Sequence, residues 1–238
     1  MQNILLLGDS LTEQGYENQW CAHLQNYYQR RADVVCRGFG GYNTKWILDI
    51  LQSNQQEKII PAHLPGHTLF CVVFLGANDA VSAEYPQHVP VDQYEANLRA
   101  ITRILLEDVR PLHGVVLMTP PPIDQERYLE YVRRERVPDA TTSSRNLETT
   151  RQYRNAVLKV AGDTPSTIAV DLYKAFLANL AEQPYQSRNT WSTPFFDGLH
   201  FDATGGQIVF SELKNSLPAQ ALPEKFPTQT PHWSTLTS

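Results

Sequence analysis

Five short stretches of this chain are apolar without interruption: residues 4–7, 34–36, 69–75, 114–118 and 167–170, rich in Val, Ile, Leu and Phe. A strand with one face in water alternates apolar and polar residues, whereas a strand covered on both faces does not need to. Between these stretches the spacing changes. Over residues 91–110, Tyr94, Leu98, Ile101 and Leu105 recur at steps of three or four, the period of a helix with one buried stripe. Residues 147–161 and 202–217 repeat that pattern, and Asp202 is placed to cap the later helix. Strands alternating with helices build βαβ units and a parallel sheet. The expected fold is therefore a doubly wound, three-layer α/β/α domain over residues 1–217, with about five central strands. Residues 120–144, opened by Pro120-Pro121-Pro122, lose the periodicity and read as a long irregular connection over the sheet's carboxyl edge. Pro218, Pro223, Pro227 and Pro231 then mark a tail, residues 218–238, expected to wrap the surface of its own domain or of a neighbouring copy.

Composition narrows the partners. The 238 residues are 42% hydrophobic and 19% charged, enough to bury a sizeable core, and the formal net charge of -5 provides no electrostatic footprint for nucleic acid. The basic cluster Arg133-Arg134-Glu135-Arg136 is short and interrupted by an acid, and reads as a solvated helix face. Cys21, Cys36 and Cys71 are odd in number and form no C-x-x-C pair, so neither a disulfide scaffold nor a thiolate metal site is expected. No apolar run reaches the length of a membrane span. Residues 4–7 are too short, and lack a preceding basic region, for a secretory signal. Asn-x-Ser/Thr sequons are also missing. A reduced, cytoplasmic protein without a membrane span is expected.

The first apolar run stops at Gly8-Asp9-Ser10-Leu11-Thr12, a strand, a tight turn and a helix start. Such a turn can cradle a phosphate, cap a helix or display Ser10 as a nucleophile. A dinucleotide fingerprint needs G-x-G-x-x-G and a P-loop needs G-x-x-x-x-G-K-[ST]; Gly8 and Gly15 satisfy neither. A flavodoxin-like mononucleotide loop stays open, as does simple capping by Asp9 or Ser10. The α/β-hydrolase elbow G-x-S-x-G lacks its second glycine here, and it lies on the wrong strand for that fold.

A serine nucleophile needs a base, an orienter for that base and an oxyanion hole. His23, His63, His67, His88, His113 and His232 sit in polar or loop-like surroundings without a fixed acidic neighbour. His200 differs, because Asp197 precedes it by three residues across Gly198, within an otherwise apolar segment. A tight turn there could bring the carboxylate to Nδ1 and leave Nε2 free to accept a proton. Donors for an oxyanion are offered by two other turns. Residues 37–44, Arg-Gly-Phe-Gly-Gly-Tyr-Asn-Thr, follow the second strand, and Gly76-Ala77-Asn78-Asp79 follow the third. Glycine lets a backbone N–H approach a substrate closely, and Asn78 adds a carboxamide whose plainer role is to bond its own turn. All four turns fall on one edge of the expected sheet, the edge where open α/β folds bind ligands.

Taken in order, GDSLT at 8–12, RGFGGYNT at 37–44, GAND at 76–79 and DGLH at 197–200 resemble the motif blocks of the GDSL, or SGNH, hydrolases. The likeness is strongest to the isoamyl acetate-hydrolysing esterase group, through RGFGGYNTKW, FLGANDA, TPPPID and FFDGLHF. The resemblance implies a flavodoxin-like fold, Ser10 as nucleophile, His200 as base and Asp197 as its partner. It implies an oxyanion hole of the Ser10 amide, the Gly41 amide and Asn78, with Gly40 the alternative glycine. It further implies hydrolysis of small esters, especially acetates, with no cofactor and no metal. Carbohydrate and lipid deacylases of the same family are rival substrate classes, and a non-catalytic binding module is the rival of another kind. Trp46 also belongs to the resemblance, where packing of a helix onto the sheet is its expected role.

Overall fold

Each of the five apolar runs supplies a strand of one parallel sheet, with only Leu75 and Gly114 falling just outside. The computed structural model describes residues 2–182, 194–229 and 234. Strands β1 (Gln2–Gly8), β2 (Ala32–Gly38), β3 (Thr68–Phe74), β4 (Val115–Met118) and β5 (Thr167–Val170) are ordered β2-β1-β3-β4-β5. In β1, Leu6 pairs with Cys36 on one side and Val72 on the other.

Continuous hydrophobicity serves two cores. Ile4 and Leu6 of β1 join Phe70, Val72 and Phe74 of β3 on one face, while Leu5 and Leu7 join Cys71 and Val73 on the other. The first face is covered by α2 (Trp20–Tyr27), α7 (Leu172–Glu182) and α8 (Ala203–Ser216), through Trp20, Leu24, Phe176, Val209 and Leu213. The second is covered by α3 (Thr44–Leu51), α4 (Val91–Ile104) and α6 (Leu147–Asp163), through Ile47, Leu98, Ile101, Tyr153 and Val157. Each such side chain, fully buried, contributes roughly 1.5–3 kcal/mol of hydrophobic stabilisation. The three-layer α/β/α sandwich is thus dictated by strands that have no polar face to leave in water.

Residues 120–144 are not irregular throughout: they contain α5 (Gln125–Glu135). Asp124 caps it, its side chain accepting from the Arg127 amide at 3.1 Å. The helix is so polar that its stripe is only Tyr128, with Tyr131 and Val132 partly buried, too narrow to stand out as a period. Arg133, Arg134, Glu135 and Arg136 are all exposed, as a solvated face requires. The helix expected over 91–110 runs as an α-helix only to Ile104, then widens into a π turn, Leu105–Val109. Trp46 packs on the Tyr42 ring, centroids 5.7 Å apart, and leaves attachment of α3 to the sheet to Ile47 and Leu51. Asp202 caps α8 as expected, accepting from Thr204 and Gly205 amides at 2.8 and 3.0 Å.

Beyond α8 the chain makes two short 3-10 turns at Ala219–Ala221 and Pro223–Lys225. Ala221 is buried, its carbonyl accepting from the Tyr28 hydroxyl at 2.6 Å, and the Gln229 amide donates to the Arg30 carbonyl. Pro231 and His232 lie outside the described residues. Because β1 stands between β2 and β3, connections leaving the carboxyl ends of β1 and β3 diverge and open a crevice at that switch point.

Candidate active site

The crevice begins where β1 ends. A Cβ at Gly8 would lie 2.1 Å from Thr12 Oγ1 and 2.6 Å from the Phe74 carbonyl, so only glycine lets the chain turn here. Asp9 caps the single-turn helix α1 (Ser10–Glu13), its Oδ1 accepting from the Leu11 amide at 2.9 Å. The capping expectation for Asp9 is therefore met without using Ser10, whose side chain faces the cleft. Burial pushes the Asp9 carboxyl up to about 6, against the Leu11 hydrogen bond and the charges of His200 and Arg145.

Ser10 and His200, 190 residues apart, meet over the sheet edge with Oγ and Nε2 at 2.9 Å. His200 Nδ1 lies 2.7 Å from Asp197 Oδ2. The other carboxylate oxygen, Oδ1, accepts from the Leu199 and His200 amides at 2.9 and 2.7 Å. Four residues therefore fold onto one carboxylate. Gly198 makes this possible with φ of +91°, and a Cβ there would meet backbone atoms of Asp124 and Tyr128 at 2.6 Å. The loop is closed by the Phe196 amide donating to the His200 carbonyl at 3.0 Å, and is rooted by Phe195 and Phe201 against Phe176. Asp197 is 2% exposed. Burial raises its carboxyl, but the His200 ring and the two amides outweigh burial and hold it below the ordinary carboxylate value. With Nδ1–H committed to Asp197, Nε2 is the acceptor for the Ser10 hydroxyl.

Gly41 and Asn78 line the same cleft as Ser10. Gly41 has φ of +80°, and its carbonyl accepts from Gln87 Nε2 at 2.9 Å. Gly40 lines the cleft beside it. Asn78 does not bond its own turn. Its Nδ2 donates to the Tyr42 carbonyl at 2.9 Å, and its Oδ1 accepts from Arg145 Nη2 at 2.9 Å. The neighbouring Asp79 ties the two glycine-bearing turns together, Oδ1 accepting from the Thr44 amide at 3.0 Å and hydroxyl at 2.5 Å. Burial pushes Asp79 up to about 7 despite those bonds. Asn43 caps α3 and donates to the Gln87 carbonyl, closing the same wall.

The resulting cleft has a volume of roughly 440 Å³. Its further walls come from Glu13, Gln14, Tyr85, Arg136, Arg145 and Phe196. Arg145 and Tyr128 were not expected from the sequence, since they fall in or beside the stretch without periodicity and nothing local marks them. Of the other histidines, His88 is held locally by the Val81 carbonyl at 2.7 Å and His113 packs on Phe226. Among the described residues no group of three or more His, Cys, Asp and Glu side chains is placed to hold a metal ion. Nor, among them, is any helix long and apolar enough to cross a membrane.

Similarity to known proteins covers nearly the whole chain. Residues 4–213 match the model of the GDSL-like lipase/acylhydrolase family. A GDSL esterase/lipase of Arabidopsis thaliana is 34% identical, over 97% of this chain and 92% of its own. The mouse isoamyl acetate-hydrolyzing esterase 1 homolog is 32% identical over 97% of this chain and 86% of its own. Among solved structures, a catalytic mutant of an acetylxylan esterase from Geobacillus stearothermophilus superposes with a TM-score of 0.64, covering 93% of this chain and 96% of that one at 22% identity. A lipase/acylhydrolase from Enterococcus faecalis gives 0.62 at 21% identity, covering 97% of this chain and 100% of that one. These structures share the fold.

Proposed function

We propose that this chain, which belongs to the GDSL-like lipase/acylhydrolase family and is a carboxylic ester hydrolase, cleaves short-acyl, acetate-type esters through an acyl-enzyme on Ser10. The observation that carries this reading is the unbroken hydrogen-bonded path from Ser10 Oγ through His200 to Asp197. Oγ attacks the ester carbonyl carbon as its proton passes to Nε2. The carbonyl electron pair moves to oxygen, and the resulting oxyanion is received by the Ser10 amide, the Gly41 amide and the second N–H of Asn78 Nδ2. Collapse expels the alcohol, which takes the proton from Nε2. Water then gives its proton to Nε2 and attacks the acyl group, releasing the acid and restoring Ser10. Asp197 stays ionised throughout and stabilises the imidazolium, a role its lowered pKa supports.

Acetate-type substrates are supported by the likeness to isoamyl acetate-hydrolyzing relatives. A second reading, acetylated carbohydrate, is favoured by the polar wall of Glu13, Gln14, Gln87 and Arg136 and by the exposed Tyr85 and Phe196 rings. Rates on isoamyl acetate, on acetylated xylo-oligosaccharides and on p-nitrophenyl esters of increasing chain length separate the two and test for lipase-like action. Three free cysteines support a reducing, cytoplasmic setting. The contacts of Ala221 and Gln229 support residues 218–229 as part of the same folding unit.

Ser10→Ala is expected to abolish turnover of p-nitrophenyl acetate and covalent labelling by a fluorophosphonate. Turnover or labelling that persists in Ser10→Ala overturns the nucleophile assignment.

A further inference from the structure

Arg145 reaches the cleft from the loop between α5 and α6 and is only 6% exposed. Its guanidinium donates from Nη1 to the Ala77 carbonyl and from Nη2 to Asn78 Oδ1 at 2.9 Å. It also lies over the Tyr128 ring, 5.6 Å from the centroid, and Tyr128 in turn abuts Gly198. Among the described residues Arg145 forms no hydrogen bond to a carboxylate. Its charge is felt by the buried Asp9 carboxyl without a hydrogen bond between them, and a buried cation so loosely paired is stabilised further where negative charge develops nearby.

We infer that Arg145 is a positioning residue for the oxyanion hole: it fixes the Asn78 carboxamide with its oxygen toward the guanidinium and its amide toward the cleft. This rests on the reading of Asn78 as an oxyanion donor. Guanidinium only donates hydrogen bonds, so it accepts no partner but the carboxamide oxygen. Turned over, the carboxamide would set its NH₂ against the guanidinium NH₂. Its oxygen would then face both the Tyr42 carbonyl and the reacting oxygen. In the observed orientation one Nδ2 proton is held by Tyr42 and the other is left for the oxyanion. The chain guanidinium to carboxamide to oxyanion strengthens as charge builds, because each bond polarises the next. The gain is realised in the transition state, so it belongs in kcat rather than in KM.

A double-mutant cycle on p-nitrophenyl acetate tests this. Arg145→Gln is expected to lower kcat about 10- to 100-fold with KM within about twofold. In the Asn78→Ala background the same substitution is expected to change kcat by less than about twofold, because its target is gone. Arg145→Lys, which keeps the charge and one donor, is expected to restore part of the loss. An unchanged kcat in Arg145→Gln, losses that multiply with those of Asn78→Ala, or an effect confined to KM would overturn the inference. If Arg145→Gln yields no folded protein, the cycle is run with Arg145→Lys, whose kcat loss must appear with Asn78 and vanish without it. Persistent activity in Ser10→Ala would instead remove the hydrolase mechanism itself, so the two failures are distinct.

Discussion

The cleft has two arms built on opposite plans. The proposed acid–base arm is local: Asp197, Leu199 and His200 satisfy one another within four residues, and Gly198 supplies the positive φ that closes the loop. The proposed oxyanion arm is distributed. Asn78 is held by Tyr42 and Arg145, Asp79 by Thr44, and Gly41 by Gln87, every partner at least 35 residues away in the chain. A local arm is specified by a short motif and fails when that motif changes. A distributed arm is a property of the fold, and its failures are graded because several bonds share the load.

Three substitutions sharpen that contrast, from the largest expected effect to the smallest. Asp197→Asn keeps an oxygen for the Leu199 and His200 amides but offers Nδ1 a donor, which forces the wrong imidazole tautomer. A fall in kcat on the order of 10⁴ is expected with the fold intact. Circular dichroism matching the parent, with kcat still within tenfold, would break the claim that this arm acts as one unit.

Asn78→Ala removes one of three proposed donors and should cost on the order of 10²–10³ in kcat. KM for p-nitrophenyl acetate should stay nearly unchanged, and a loss borne mainly by KM would place Asn78 in substrate binding instead.

The smallest effect concerns the support beneath the proposed oxyanion arm. A buried carboxyl whose pKa is raised binds its proton more tightly folded than unfolded. Its contribution is therefore most favourable at low pH and is lost as pH rises from about 4, the unfolded value, toward about 7, the value burial gives Asp79. Asp79→Asn retains an oxygen for Thr44 and cannot titrate. The stability of the variant relative to the parent should rise between pH 5 and pH 8, by at most about 2.7 kcal/mol, since only the span from pH 5 to the folded value near 7 contributes. Equal Tm differences at both pH values would show that burial does not raise the Asp79 carboxyl. Asp197, with its lowered pKa, has the opposite sign: its contribution is present above about pH 4 and is lost as pH falls further through the folded value.

The sheet was legible because its information is dense. Runs such as residues 69–75 cannot sit in water on either face, and the resulting β3 is buried at every position. Helix α5 was not legible, since its sequence is mostly charged and only packing of Tyr128 beneath the cleft selects it. The same divide runs through the site. GDSL and DGLH each have other uses alone, and they became legible only as two of four motif turns in order along one expected sheet edge. Which side of Asn78 faces the cleft is not written near residue 78 at all.

From the sequence alone came the parallel three-layer fold, the placement of four motif turns on one edge, and the candidate trio Ser10, His200 and Asp197. Hydrophobic burial and short-range turn geometry act over a few residues and leave local traces. Only the tertiary structure brought Ser10 to His200 across 190 residues, put Arg145 against Asn78, and tied Asp79 to Thr44. Those contacts are hydrogen bonds between groups that meet only after the chain has folded, and such bonds depend on distance and direction in space, which residue order does not encode.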